Sequence, residues 1–248
     1  MQSSFVQILH HPRLERFLEY SLRFLCHYFR LEIQGLEYIP RRGGAMLVAN
    51  HSGVSGLDAV LLAHLIRWQT GRKVMILAHR AFFDFSPSVK NLAESFLLRK
   101  ACFENGVKIL EEGNICLIFP EGEDGNFKPS TERYQLRAFH TGFLRMAAAA
   151  KVPVLMASII GAEGTHWNLA QIKLHRWVRG LSVPVPVNLI PLPSKWRIRI
   201  DPAFSGETMS HLDPNERQVL QARAAGLRVK LQRQIDEERQ KVRFGLMA

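Results

Sequence analysis

The sequence predicts an α/β fold: a mixed, largely parallel central sheet flanked by helices, preceded by an N-terminal amphipathic helix and followed by a long C-terminal helix. Two observations carry that expectation. Short apolar runs of strand length, at 45–49, 73–78, 115–119 and 154–160, alternate with stretches of helical pattern, an order that places helices over the faces of a sheet. Hydrophobic residues make up 47% of the 248-residue chain and charged residues 22%, the balance of a chain that buries a core. The chain divides as an N-terminal helical segment (1–30), a central domain (31–206) and a C-terminal helical extension (207–248).

Along the chain, 13–30 reads as an amphipathic helix. Leu14, Phe17, Leu18, Leu22, Leu25 and Phe29 recur at helical spacing among Arg13, Arg16, Arg23 and Arg30. Pro12 suits its start. Such a helix lies in a membrane interface or packs on the core, because both need the same periodicity. Leu31–Ile39 reads as a strand closed by Pro40 and Gly43-Gly44. Ala45–Ala49 is an apolar strand that delivers Asn50 and His51, and Asp58 opens a helix through Trp68. Lys73–Ala78 is a buried-type strand, and the aromatic stretch Phe82–Phe96 is ambiguous. Phe103–Glu112 reads as a helix ending at Gly113. Ile115–Phe119 is a strand, Gly125–Thr131 a polar loop, Leu136–Lys151 a helix and Val154–Ile160 a strand. Trp167–Val178 is expected to be helical, and Leu181–Pro193 is an apolar, proline-rich run. Trp196–Ile200 alternates as a strand does, and a last helix starts at Asp213-Pro214 and runs to about Val242.

Two clusters carry chemistry. The first is Asn50-His51-Ser52-Gly53-Val54-Ser55-Gly56-Leu57-Asp58, and the second is Phe119-Pro120-Glu121-Gly122. Each follows an apolar strand. A histidine and an aspartate on either side of a short Gly/Ser loop supply a base and the carboxylate that orients it. Histidine suits the role because its free pKa of ~6.5 leaves it neutral and basic near cellular pH. Taken singly, His51 reads as a loop histidine capping the next helix and Asp58 as a plain helix N-cap. Ser52 and Ser55 are the alternative nucleophiles, although neither sits in a Gly-x-Ser-x-Gly elbow.

With these motifs the chain resembles the glycerolipid acyltransferases, typified by the 1-acylglycerol-3-phosphate acyltransferases. In that family Asn-His is followed by four residues and then Asp; Phe-Pro-Glu-Gly comes later; and an apolar strand opens with Val-Pro-Val. Here Asn50-His51 and Asp58, Phe119–Gly122, and Val152-Pro153-Val154 stand in that order. The likeness covers roughly residues 35–205. Six residues separate His51 from Asp58 instead of four, and the glycines Gly53 and Gly56 can absorb the extra pair.

The resemblance implies transfer of a fatty acyl group from acyl-CoA or acyl-carrier protein to a glycerolipid hydroxyl, with lysophosphatidate or another lysophospholipid as the default acceptor. Mono- or diacylglycerol or an aminolipid are the other acceptors it allows. It implies His51 as general base, Asp58 as its orienter, and direct attack without an acyl-enzyme. It further implies that Glu121 and Gly122 bind the acceptor's glycerol or phosphate portion, and that Arg99 matches the phosphate-binding arginine of the second motif. Arg99 is equally a solvated base at a strand end. Lys128 and Arg133, in the run after Glu121, are candidates for phosphate binding, with plain surface charge as the alternative.

The formal net charge is +11, which favours anionic partners: a membrane surface, phosphorylated ligands or nucleic acid. No helix-turn-helix, RRM or zinc pattern is evident and the arginines are spread, so nucleic acid is not expected. Three scattered cysteines, Cys26, Cys102 and Cys116, give no disulfide framework and no CxxC zinc pair. No metal or cofactor is expected beyond the acyl carrier itself. Without an 18-residue apolar span or a basic signal sequence, the expected location is peripheral, on the cytoplasmic face of a membrane. A thioesterase, with water in place of the lipid hydroxyl, is the competing enzyme class.

Overall fold

The computed structural model describes residues 12–52, 56–84, 86–122, 125, 128–173, 182–188 and 190–245. Among them the helices are α1 (Pro12–Tyr28), α2 (Leu57–Thr70), α3 (Ala81–Asp84), α4 (Pro87–Ser95), α5 (Phe103–Glu111), α6 (Gly142–Ala149), α7 (Gly206–Ser210) and α8 (Arg217–Gly245). The strands are β1 (Glu32–Gln34), β2 (Ala45–Ala49), β3 (Val74–Ala78), β4 (Leu98–Lys100), β5 (Ile115–Ile118), β6 (Val154–Ile160), β7 (Asn168–Lys173), β8 (Ser182–Pro186) and β9 (Arg197–Phe204).

Seven of these strands form one sheet in the order β1-β9-β6-β2-β5-β3-β4, and β7 pairs with β8 in a separate ribbon. Within the large sheet only β6 and β9 run antiparallel; the other pairs are parallel. The α/β expectation, with a mixed and mostly parallel sheet, therefore holds.

The period-2 alternation of a strand divides the core in two. Met46 and Val48 of β2, Cys116 of β5 and Val154 and Met156 of β6 pack on one face with α6 and α8. Leu47, Ile115, Leu117, Leu155 and Ala157 pack on the other with α2. Strands buried on both faces read as continuous apolar runs, which is why they stood out in the sequence. Along α8, Leu220, Ala224, Leu227, Leu231 and Ile235 are buried, a three-and-four spacing that lays one stripe on the sheet. On α1, Leu22, Leu25 and Cys26 pack against the opposite face, while Phe17, Tyr20 and Phe24 are exposed. The helix thus meets the core with one side and solvent with an aromatic other.

Several expectations change. The segment expected to be helical at 167–178 is strand β7 as far as Lys173; 174–178 lie outside the described residues. The proline-rich run supplies its partner, β8, since a two-stranded ribbon offers free edges where proline costs no ladder bond. The helix expected over 136–151 covers only Gly142–Ala149. Tertiary partners take the earlier backbone donors: Leu136 N–H goes to Gln232 Oε1, Arg137 N–H to Glu121 Oε2 and His140 N–H to Pro120 O. The first strand stops at Gln34 because Gly35 turns left-handed (φ +84°) within reach of Ile200 O. The last helix starts at Arg217, after a turn at Asp213. Residues 82–96, left open by the sequence, hold part of α3 and all of α4.

Candidate active site

Three neighbouring strands deliver the site. β2 lies between β6 and β5 and runs parallel to both. The segments after their C-terminal ends therefore converge at one sheet edge, where open α/β sheets bind ligands. Asn50 extends the β2–β6 ladder by one side chain: its Nδ2 donates to Ile159 O at 3.0 Å and its Oδ1 accepts Ile159 N–H at 2.7 Å. This anchors the residue before His51.

His51 Nδ1 lies 2.9 Å from Asp58 Oδ2. The same oxygen accepts Ser52 N–H at 2.9 Å, and Oδ1 accepts Ala59 N–H at 2.9 Å. Asp58 sits in the first turn of α2 behind Gly56, whose φ of +69° turns the loop into the helix without a Cβ penalty; Gly53 lies outside the described residues. Burial works to raise the Asp58 pKa, but the facing His51 charge and hydrogen bond, with the two backbone donors, outweigh it and hold the carboxyl below its usual range. An ionised, acceptor-only carboxylate fixes the proton of a neutral imidazole on Nδ1 and leaves the Nε2 lone pair free. The ring stacks on Phe119, with centroids 4.2 Å apart.

Glu121 is buried and fully engaged. Oε1 accepts His51 N–H at 3.4 Å; Oε2 accepts Lys128 Nζ at 3.1 Å and Arg137 N–H at 2.7 Å. Lys128 also donates to Gln135 O at 2.8 Å. A Cβ on Gly125 would stand 2.2 Å from the Glu121 Cβ, so glycine there is what lets this carboxylate seat. Glu121 thereby holds the His51 backbone and the following loop in place. Gly122 takes φ +62° against the His140 ring.

A small pocket, partly open to solvent, lies beside the ring. His51, Lys128 and Arg133 line it, joined by Ser130, Glu163 and His166, which the sequence did not single out. Arg133 donates from Nη2 to Ser130 Oγ and His166 O, and its guanidinium lies over the Trp167 ring. Glu163 Oε2 accepts Tyr134 N–H at 2.6 Å. Burial pushes the Glu163 pKa up to about 7, against the pull of the Lys128 charge. Gly161 places it: φ is +96°, and a Cβ would stand 2.1 Å from Lys195 O, so the chain turns sharply where β6 ends. That Gly-Ala-Glu sequence after a strand was the one available signal for Glu163.

The C-terminal helix braces the loop that carries Lys128 and Arg133. Gln232 accepts Leu136 N–H and donates to Tyr134 O, and Arg239 lies over the Tyr134 ring. Arg99 stands elsewhere. It is on the edge strand β4, with β3 and β5 between it and β2, and its guanidinium donates to Leu98 O and Glu94 O. Ser52 Oγ has no hydrogen-bond partner among the described residues, and Ser55 lies outside them. Among the described residues no group of three or more His, Cys, Asp or Glu side chains is placed to hold a metal ion.

Comparison with known proteins points the same way. Residues 30–160 match the model of a family described as Acyltransferase. An uncharacterized protein of Mycobacterium tuberculosis (strain H37Rv) is 36% identical over 187 residues, which cover 71% of this chain and 52% of that one. The chain thus spans about half the length of these mycobacterial relatives. A human protein described as a DGAT1/2-independent enzyme synthesizing storage lipids is 26% identical over 76% of this chain and 60% of its own. The crystal structure of the 1-acyl-sn-glycerophosphate acyltransferase PlsC from Thermotoga maritima shares the fold, with a TM-score of 0.55 and 18% identity, covering 90% of this chain and 79% of that one.

Proposed function

The chain belongs to the acyltransferase family, and from that premise we propose that it moves a fatty acyl group from an acyl thioester, on CoA or acyl-carrier protein, to a glycerolipid hydroxyl. The observation that carries this reading is the 2.9 Å contact between His51 Nδ1 and Asp58 Oδ2 on the wall of a polar pocket. The acceptor hydroxyl oxygen attacks the thioester carbonyl while His51 Nε2 takes its proton. Asp58 stabilises the imidazolium that forms. The C–S bond breaks, the thiolate leaves and recovers the proton from the imidazolium, and an ester remains. Ser52 Oγ makes no hydrogen bond to His51 or to any other described residue, which favours direct transfer over an acyl-enzyme.

Several features support work at a membrane surface. Phe17, Tyr20 and Phe24 of α1 are about two-thirds exposed, and Trp68 at the end of α2 lies under Arg23. Trp167, Leu169, Val187 and Ile190 on and beside the β7–β8 ribbon also face outward. Tyr28 OH donates to Pro191 O at 2.9 Å and joins the two areas. Aromatic and apolar side chains beside arginines suit the interface of an anionic bilayer. Among the described residues no helix is long and apolar enough to cross a membrane.

The test is direct: purified protein, labelled acyl-CoA and a panel of lysophospholipids and partial glycerides, with products resolved by mass. Acyl ester formed by the wild type and lost in His51→Ala is the expected result. Release of free fatty acid at the same rate with and without an acceptor would assign a thioesterase instead.

A further inference from the structure

Ser52, Arg133 and Glu163 all line the pocket beside His51. Each carries a solvent-shielded atom without a hydrogen-bond partner among the described residues: Ser52 Oγ, Arg133 Nε and Glu163 Oε1. Unpaired buried polar groups destabilise a fold, and native proteins hold few of them. Three around one small pocket point to a ligand that pairs them. Arg133 and Glu163 are only partly buried, and pairing with an occupant requires each to rotate toward it.

Their chemistry says what kind. The guanidinium Nε gives a hydrogen bond, the carboxyl oxygen Oε1 takes one, and the serine hydroxyl does both. One of the two cations is already paired. Lys128 Nζ sits 3.1 Å from the Glu121 carboxylate, with both side chains nearly sealed, and the Arg133 charge acts on Glu163. Lys128 is therefore already taken and does not stand free for a phosphate. A phosphate monoester offers chiefly acceptors and two negative charges, so it would satisfy Arg133 and set an anion against Glu163. A glycerol hydroxyl gives and takes at once, and it carries no charge.

We infer that this pocket is the acceptor-head subsite and takes an uncharged, hydroxyl-rich group such as glycerol, with Glu163 accepting from one hydroxyl and Arg133 and Ser52 pairing a second. This rests on the acyl-transfer reading above and adds the class of acceptor, a partial glyceride in preference to a phosphorylated lyso-lipid. Glu163 is then a specificity-determining residue for the acceptor.

Calorimetry on the full chain without any thioester separates head recognition from turnover. The probes are 1-hexanoylglycerol and its 3-phosphate. The neutral ligand is expected to bind about tenfold or more tightly than the phosphate. Glu163→Gln weakens the neutral ligand about tenfold and narrows the gap between the two. Ser52→Ala, which breaks no hydrogen bond among the described residues, weakens it by a smaller factor. Tighter binding of the phosphate, or a neutral-ligand affinity that neither variant moves, overturns the assignment. Binding as expected in a protein that transfers acyl groups to neither lipid would uphold the subsite and reject the transferase reading alone.

Discussion

Asp58 Oδ2 binds His51 Nδ1 and Ser52 N–H at the same 2.9 Å. One buried oxygen therefore orients the imidazole and pins the loop that carries it. Asp58→Asn keeps the volume but removes the charge that stabilises an imidazolium, and its amide offers a donor where two donors already point. We predict a loss of about 10²–10⁴ in kcat, the range of general-base contributions, with little change in acceptor KM. Steady-state kinetics on a folded variant checks it; a loss under threefold would remove Asp58 from the mechanism. The stability profile gives a second readout. Folding lowers this carboxyl's pKa, so its stabilisation is present above the ordinary aspartate range and fades as pH falls through the lowered value. Wild type should lose stability on acidification that Asp58→Asn does not.

Glu121 offers the sharpest separation of structure from chemistry. Its carboxylate answers Lys128, Arg137 N–H and His51 N–H. Glu121→Gln leaves the nearly sealed Lys128 ammonium unpaired, and breaking a buried pair from one side costs about 3–5 kcal/mol. Urea unfolding should show a loss of that order. Adding Lys128→Met removes the stranded charge, so the double variant should regain much of the stability. Activity should stay low in both, because the His51 backbone keeps no charged anchor. Full activity in the double variant would reduce Glu121 to a charge partner.

The parts visible in the sequence were those fixed by local chemistry. β2, β5 and β6 are buried on both faces and so read as unbroken apolar runs. His51 and Asp58 lie seven positions apart, and one loop and one helical turn bring them together. What the sequence hid depends on distant partners. Leu136 and Arg137 carry a helical pattern but donate to Gln232 and Glu121. Asn168 is buried between exposed Trp167 and Leu169, a polar-in, apolar-out alternation that reads as neither a soluble strand nor a helix. Glu163 reaches the pocket only because Gly161 ends β6 in a left-handed turn. Arg99 was the candidate for the second-motif arginine by resemblance, yet strand order puts it at the far edge of the sheet.

Glu163 should mark the pH dependence of stability near neutrality. Its pKa rises from 4.5 to about 7 on folding, so between those values the folded state holds more protons than the unfolded one. Stability therefore falls as pH rises through that window and stays low above it. At ~1.4 kcal/mol per pKa unit, the full effect is on the order of 3 kcal/mol. Glu163→Gln cannot ionise. Its thermal midpoint relative to wild type should climb between pH 5 and pH 8 and then level off. Parallel curves across that range would show that the carboxyl titrates normally.

The exposed aromatic side of α1 can be separated from its buried side. Phe17 and Phe24 are 65% and 64% exposed, while Leu22 and Leu25 of the same helix pack on the core. Replacing the two phenylalanines by serine should leave the thermal midpoint within a degree or two, since surface changes away from the core cost little. If this face enters the bilayer interface, each ring contributes about 1.5 kcal/mol or more of apolar burial there. The double variant should then bind anionic vesicles at least tenfold more weakly, as measured by sedimentation. Raising the salt concentration should weaken wild type and variant alike, because the basic surface contributes a screened attraction to both. A double variant that binds as well as wild type, with its salt dependence unchanged, would show that the aromatic stripe stays in water and that charge alone holds the protein at the membrane.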